Sequence, residues 1–146
     1  MKILDGIQTS SEIFLKVKEK VISLAPKPNL AILIVGEDYG SKMYVRMKKK
    51  KALELGISCK VFHFDENAPQ DEIVDRIMDL NKDSAVTGIM IQLPLPKHLN
   101  TIEIVNQIDY KKDVDGLGAY NLGRIFQNNQ YIVPATALGV MRLLEK

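Results

Sequence analysis

An α/β domain in three layers, with a mainly parallel sheet flanked by helices, is the fold that this 146-residue sequence predicts. Three observations predict it. Leu30-Ala31-Ile32-Leu33-Ile34-Val35 is an unbroken apolar run, as a strand buried on both faces requires. Two further strand patterns follow, Ser58 to Phe64 and Gly88 to Gln92. Segments of helical periodicity separate them, and strand–helix–strand–helix–strand order argues for a parallel sheet.

Each element has its own local reason. Thr9-Ser10-Ser11-Glu12 reads as a capping box, with Thr9 as N-cap and Glu12 reaching back. The helix that follows should run to about Leu24, with Ile13, Val17, Val21 and Leu24 on its inner face. Pro26 and Pro28 end it. After the first strand, Gly36 to Gly40 is a loop, and Ser41 can cap a helix carrying Tyr44 and Lys48. Gly56 suits the position just past that helix. Asn67 to Gln70 starts the next helix, with Pro69 in its first turn and Ile73, Val74, Ile77 and Leu80 as its apolar stripe. Pro94 and Pro96 turn the chain after the third strand. Thr101 to Ile108 is a short helix candidate, Asp109 to Tyr131 is mostly loop with brief extended pieces, and Thr136 to Leu144 is a last helical pattern.

Composition excludes several classes. With 46% hydrophobic and 26% charged residues the chain should fold as one domain. A net charge of +2 gives no reason to expect nucleic acid or an anionic membrane as the main partner. No apolar stretch is long enough to span a bilayer. Met1-Lys2-Ile3-Leu4 runs straight into Asp5-Gly6, without a signal core or cleavage site. Cys59 is the only cysteine, and neither His63 nor His98 has metal-ligand spacing, so neither a disulfide nor a metal site is expected. A reduced, cytoplasmic setting is the default.

The candidate chemistry lies in three places. Tyr44 and Lys48 are four apart and share one helix face. Lys48 opens a run of four lysines, and four consecutive helical residues cannot share a face. Lys48 has Tyr44 and Ser41 beside it, which makes it the lysine for a cleft and a candidate for proton transfer. Gln92 ends the third strand, and ligands of such sheets bind beyond the carboxyl ends of the strands. Asp115 lies between Val114 and Gly116, where a turn can aim it inward; Asp113 reads as an ordinary turn residue. Gly36-Glu37-Asp38-Tyr39-Gly40 lacks both the Walker lysine and the three-glycine dinucleotide fingerprint. An amine, a phenol, an amide and a carboxylate suit proton handling and recognition of a heterocycle.

Several segments, taken in order, resemble the bifunctional methylenetetrahydrofolate dehydrogenase/methenyltetrahydrofolate cyclohydrolase family at its N-terminal, folate-binding catalytic domain. They are Val35-Gly36-Glu37-Asp38 with Ser41, Tyr44-Val45-x-x-Lys48, and Gln70-x-Glu72-Ile73-Val74-x-x-Ile77-x-x-Leu80-Asn81-x-Asp83. Gly88-Ile-Met-Ile-Gln-Leu-Pro-Leu-Pro96, Lys112-Asp113-Val114-Asp115-Gly116 and Asn121-x-Gly123-Arg124 continue the match. The resemblance implies catalytic roles for Lys48, Tyr44, Gln92 and Asp115. Lys48 would transfer the proton of the cyclohydrolase step, Gln92 would hydrogen-bond it, Tyr44 would pack on the aminobenzoyl group, and Asp115 would accept from the pterin. Ser41, Leu93 and Pro94 would join Tyr44, Gln92 and Asp115 in holding the folate.

The family also implies a Rossmann domain for NADP or NAD, expected beyond Lys146 and absent from residues 1–146, and a homodimer of the full-length enzyme. Thr136 is the one candidate contact to that cofactor. Its segment reads Pro134-Ala135-Thr136-Ala137-Leu138-Gly139, where the family pattern has a cysteine and a second proline. These 146 residues are therefore expected to bind folate and to bind no nicotinamide cofactor tightly. A monofunctional dehydrogenase of the same family and a non-catalytic folate-binding module are the alternatives.

Overall fold

The computed structural model describes residues 4–146; the start of the segment read above for a leader, Met1 to Ile3, lies outside the described residues. Nine elements follow in order: α1 (Gly6–Ser23), β1 (Asn29–Val35), α2 (Tyr39–Glu54), β2 (Ser58–Phe64), α3 (Gln70–Lys82), β3 (Gly88–Ile91), α4 (Thr101–Val105), α5 (Ala119–Phe126) and α6 (Ala135–Leu144). The sheet has the order β2-β1-β3, parallel throughout.

β1 is apolar at every position from Leu30 to Val35 because both of its faces are covered. Ala31, Leu33 and Val35 join Ile89 and Ile91 of β3 and meet Ile73, Ile77 and Leu80 of α3, with Ile104 of α4 beside them. Ile32 and Ile34 point the other way, with Met90, and receive Val45 of α2. Each of the larger aliphatic side chains among them contributes about 1.5–3 kcal/mol on burial.

The helix ends show where local reading fails. Asp5, not Thr9, caps α1: its carboxylate accepts from Ile7 N at 2.9 Å and Gln8 N at 3.0 Å. A carboxylate at a helix start also meets the positive end of the helix dipole, and the helix begins four residues earlier than expected, just over one turn. Thr9 is left inside the helix, where its hydroxyl donates to Asp5 O at 2.8 Å. The expected inner face of α1 is also only partly correct. Val21 is buried and Val17 half-buried, but Ile13 and Leu24 are exposed. Leu24 has already left the helix in an extended conformation. Ile13 borders a groove of about 750 Å³ between α1 and α6, not the sheet.

Asp38, not Ser41, caps α2, accepting from Ser41 N at 2.7 Å. Gly56 does follow the end of α2 with φ +79, as expected, donating to Leu53 O. Pro69 sits at the cap of α3, one residue before its first turn. The candidate helix at Thr101 stops at Val105, three residues short, with Asn100 as its cap.

The largest miss is α5, inside a stretch expected to be loop. Gly118 at its start offers no capping side chain. Distant groups cap it instead: Asn106 Oδ1 accepts from Ala119 N and Asp113 Oδ2 from Gly118 N, both at 2.8 Å. One brief extended piece does occur there, a parallel bridge between Asp113 and Ile89. No helix among the described residues is long and apolar enough to cross a membrane.

Candidate active site

The site forms at the carboxyl edge of the sheet. β1 ends at Val35 and the chain turns at once into α2, which carries Tyr44 and Lys48 back across the sheet. Val45 lies between them in sequence and is buried against Ile32, Ile34 and Met90, so it pins this stretch of the helix. Lys48 is half-buried, whereas Lys49, Lys50 and Lys51 are exposed. Lys51 pairs with Glu54 at 2.7 Å. The four lysines thus divide as helical geometry requires.

Lys48 Nζ donates to Gln92 Oε1 at 3.1 Å, across 44 residues of sequence. Gln92 directly follows β3 and is only 8% exposed. Its amide cannot turn over freely. Gln92 Nε2 donates to Leu93 O at 2.7 Å, and its backbone N donates to Leu33 O at 2.8 Å. The amide oxygen is therefore held towards the lysine.

Asp115 enters from the loop after α4 and is partly buried. Burial raises its pKa above the ordinary aspartate value; the nearby Lys48 ammonium pulls it down, and the Asp113 carboxylate pushes it further up. Gly116 follows with φ +66, and a side chain there would meet Pro134 N at 3.0 Å. The loop thus packs directly on residues 132–134, which lead into α6.

Tyr44 is 58% exposed, so much of its side chain is available to a ligand. Ser41 is buried in the first turn of α2, tied to Asp38. Leu93 is half-buried against the core, and Pro94 is exposed after a cis peptide bond. Thr136 is exposed in the first turn of α6, two residues past Pro134. The structure thus brings Lys48, Gln92 and Asp115 together, with Tyr44 on the same helix as Lys48.

His63 and His98 lie near backbone carbonyls, Gly36 O at 2.8 Å and Ala68 O at 3.1 Å. Among the described residues no group of three or more His, Cys, Asp or Glu is placed to hold a metal ion. The residue that sequence reasoning undervalued is Asp113. It is 2% exposed and accepts from Gly116 N, Gly118 N and Asn121 Nδ2. Its spacing to two following glycines was the available signal.

A nicotinamide dinucleotide does not fit the turns after these strands. A pyrophosphate needs a glycine-rich strand-to-helix turn whose backbone amides and helix N-terminus are free. At the start of α2 that place is taken by the Asp38 carboxylate, whose pKa is lowered by the Ser41 amide. At the start of α3, Asp71 and Glu72 occupy the first turn. The α2 turn is thus capped by the protein's own carboxylate, and the acidic side chains in the first turn of α3 would repel a pyrophosphate.

Comparison with known proteins gives a consistent result. A family profile described as "Tetrahydrofolate dehydrogenase/cyclohydrolase, catalytic domain" matches residues 4–115. The bifunctional protein FolD of Nitrosospira multiformis is 40% identical over 148 residues, covering 99% of this chain and 51% of the relative. The crystal structure of the bifunctional FolD dehydrogenase/cyclohydrolase from Campylobacter jejuni superposes with a TM-score of 0.96 at 39% identity. It covers 99% of this chain and 53% of its own. The Trypanosoma brucei FolD structure, complexed with NADP cofactor and inhibitor, gives a TM-score of 0.91 at 31% identity over 99% of this chain and 51% of its own. The chain spans about half the length of the curated relatives it matches. The sheet order, the Lys48–Gln92 juxtaposition and this likeness lead to one conclusion: the chain belongs to the tetrahydrofolate dehydrogenase/cyclohydrolase family, and its fold is that of the family's catalytic domain.

Proposed function

We propose that residues 1–146 form the N-terminal folate-binding catalytic domain of a bifunctional one-carbon enzyme. The whole protein would oxidise 5,10-methylenetetrahydrofolate to the 5,10-methenyl form and hydrolyse that to 10-formyltetrahydrofolate. The observation that carries this reading is the hydrogen bond from Lys48 to Gln92, beside a partly buried Asp115. In the hydrolytic step, water oxygen bonds to the methenyl carbon and one water proton passes to Lys48 Nζ, which acts as the free amine while still donating to Gln92 Oε1. The bond from that carbon to N5 then breaks as the new hydroxyl gives up its proton to become the formyl C=O, N5 takes up a proton, and the formyl group stays on N10, so that one proton is released overall. Asp115 accepts from the pterin, and Tyr44 stacks on the aminobenzoyl ring. Ser41, Leu93 and Pro94 complete the folate-binding wall.

The oxidation step is not built from the turns described here, which do not fit a dinucleotide. NADP, or NAD, would be held by residues other than these 146, with Thr136 as the one contact from this side. The substrate is then a small folate, the whole protein a homodimer, and its setting the cytoplasm, with no nucleic-acid or membrane role.

Calorimetry with a folate analogue and with NADP, each alone, tests this together with a methenyl hydrolysis assay. Measurable folate binding with hydrolysis and no NADP binding is the expected result. Folate binding without hydrolysis would reduce the chain to a binding module, and tight NADP binding would overturn the placement of the cofactor site. Gln92→Ala should lower hydrolysis about ten- to a hundredfold, part of what a positioned proton carrier contributes. The pH–rate profile should change shape as well; a uniform drop would mean that Gln92 only positions substrate.

A further inference from the structure

The loop that delivers Asp115 is held from several sides. Ile89 N donates to Lys112 O at 2.7 Å and Val114 N to Ile89 O at 3.3 Å, which lays residues 112–114 along β3. Gly88 makes that approach possible, since a Cβ there would lie 2.5 Å from Val114 Cγ1. Lys112 Nζ donates to the carbonyls of Leu80, Asn81 and Asp83 at 2.8–2.9 Å, which ties the same strip to the end of α3. On the far side of Asp115, Gly116 N and Gly118 N both donate to the Asp113 carboxylate, at 3.1 and 2.8 Å.

Asn121 closes this arrangement. It is fully buried, and its Nδ2 donates to Asp113 Oδ2 at 3.1 Å and to Tyr110 O at 3.0 Å. Its Oδ1 has no hydrogen-bond partner among the described residues. An orphaned buried acceptor is unfavourable, so the amide is there for its donor side. Asp113 thus gathers donors from both the turn after Asp115 and α5, and Asp115 is flanked by anchored residues.

Resting on the function proposed above, we infer that Asp113, with Asn121 behind it, is a positioning residue: its buried carboxylate fixes the turn that sets Asp115 beside Lys48. The charges that bear on Asp115 are Lys48 from α2 and Asp113 from its own loop. Asp113 therefore acts on Asp115 in a second way, favouring its protonated form, while Lys48 favours the ionised one. Removing the Asp113 charge moves the Asp115 titration to lower pH.

The test follows the Asp115 side-chain carboxyl by carbon NMR across pH, in the ligand-free chain. Asp113→Asn, Asp113→Glu and Asn121→Ala are compared with the wild type, alongside hydrolysis of 5,10-methenyltetrahydrofolate. Asp113→Asn should lower the Asp115 midpoint and slow hydrolysis about ten- to a hundredfold, the scale of an ångström misplacement. Asp113→Glu keeps the charge, so it should restore the midpoint while leaving hydrolysis impaired. Should Asp113→Asn fail to fold, Asn121→Ala still decides, since it keeps the Asp113 carboxylate and two of its donors; it must slow hydrolysis. Unchanged titration and rate in folded Asp113→Asn, or an unchanged rate in Asn121→Ala, overturns the inference. A wild-type chain without hydrolysis would instead sink the proposed function, while the NMR titration would still report whether Asp113 and Asp115 are coupled.

Discussion

Lys48→Met is expected to reduce hydrolysis of methenyltetrahydrofolate by at least about a hundredfold, the lower end of what positioned proton transfer contributes. The fold should survive. Lys48 is half-buried at the cleft and meets Gln92 through its ammonium alone, and methionine keeps a long apolar stem for the same packing. Lys49, Lys50 and Lys51 serve as internal controls, because they are exposed on the same helix. Their alanine variants should retain nearly full activity. Equal losses at all four positions would mean that the helix contributes only a diffuse positive field. Circular dichroism with a urea midpoint separates loss of chemistry from loss of fold.

Ile77→Ala should be among the most destabilising of simple core changes, at about 2–5 kcal/mol. Ile77 is fully buried in α3, in the cluster with Leu33, Ile89 and Ile104. Truncation leaves a void that β1, packed from both faces, cannot collapse to fill. Against a typical domain stability of about 5–15 kcal/mol, that removes a large share. Ile13→Ala is the matched comparison. It was expected on an inner face but lies exposed beside the α1–α6 groove, so its effect should stay within about 0.5 kcal/mol. Urea unfolding measures both. Similar midpoint shifts for the two variants would show that the core has been misplaced.

The contrast between those isoleucines shows what the sequence could tell. β1 was readable because burial on both faces leaves no polar residue, and α3 because its stripe at Ile73, Ile77 and Leu80 faces a single partner. α1 carries a stripe as regular, yet a stripe does not say what covers it. The Asp5 cap was missed because a plausible capping box stood four residues later. α5 was missed because its caps, Asn106 and Asp113, come from other elements. In the site, residue type and spacing singled out Lys48, Tyr44, Gln92 and Asp115, whereas Asp113 matters through donors that only the closed loop supplies.

The sheet order has a kinetic consequence. Leu30 pairs with Cys59 on one side and, twice as far along the chain, with Gly88 on the other. Doubling a loop adds only about 0.6 kcal/mol of closure entropy, so zipping β3 onto a formed β1–β2 pair is not a steep climb. It is still a non-local event, of the kind that slows folding. Lys48 arrives with the first crossover and Gln92 only with the second, so a half-zipped sheet holds half a site. The Gln92 amide proton, bonded to Leu33 O, is a local reporter of that docking. Its hydrogen exchange should be protected only in molecules whose third strand has closed and whose lysine has met its amide.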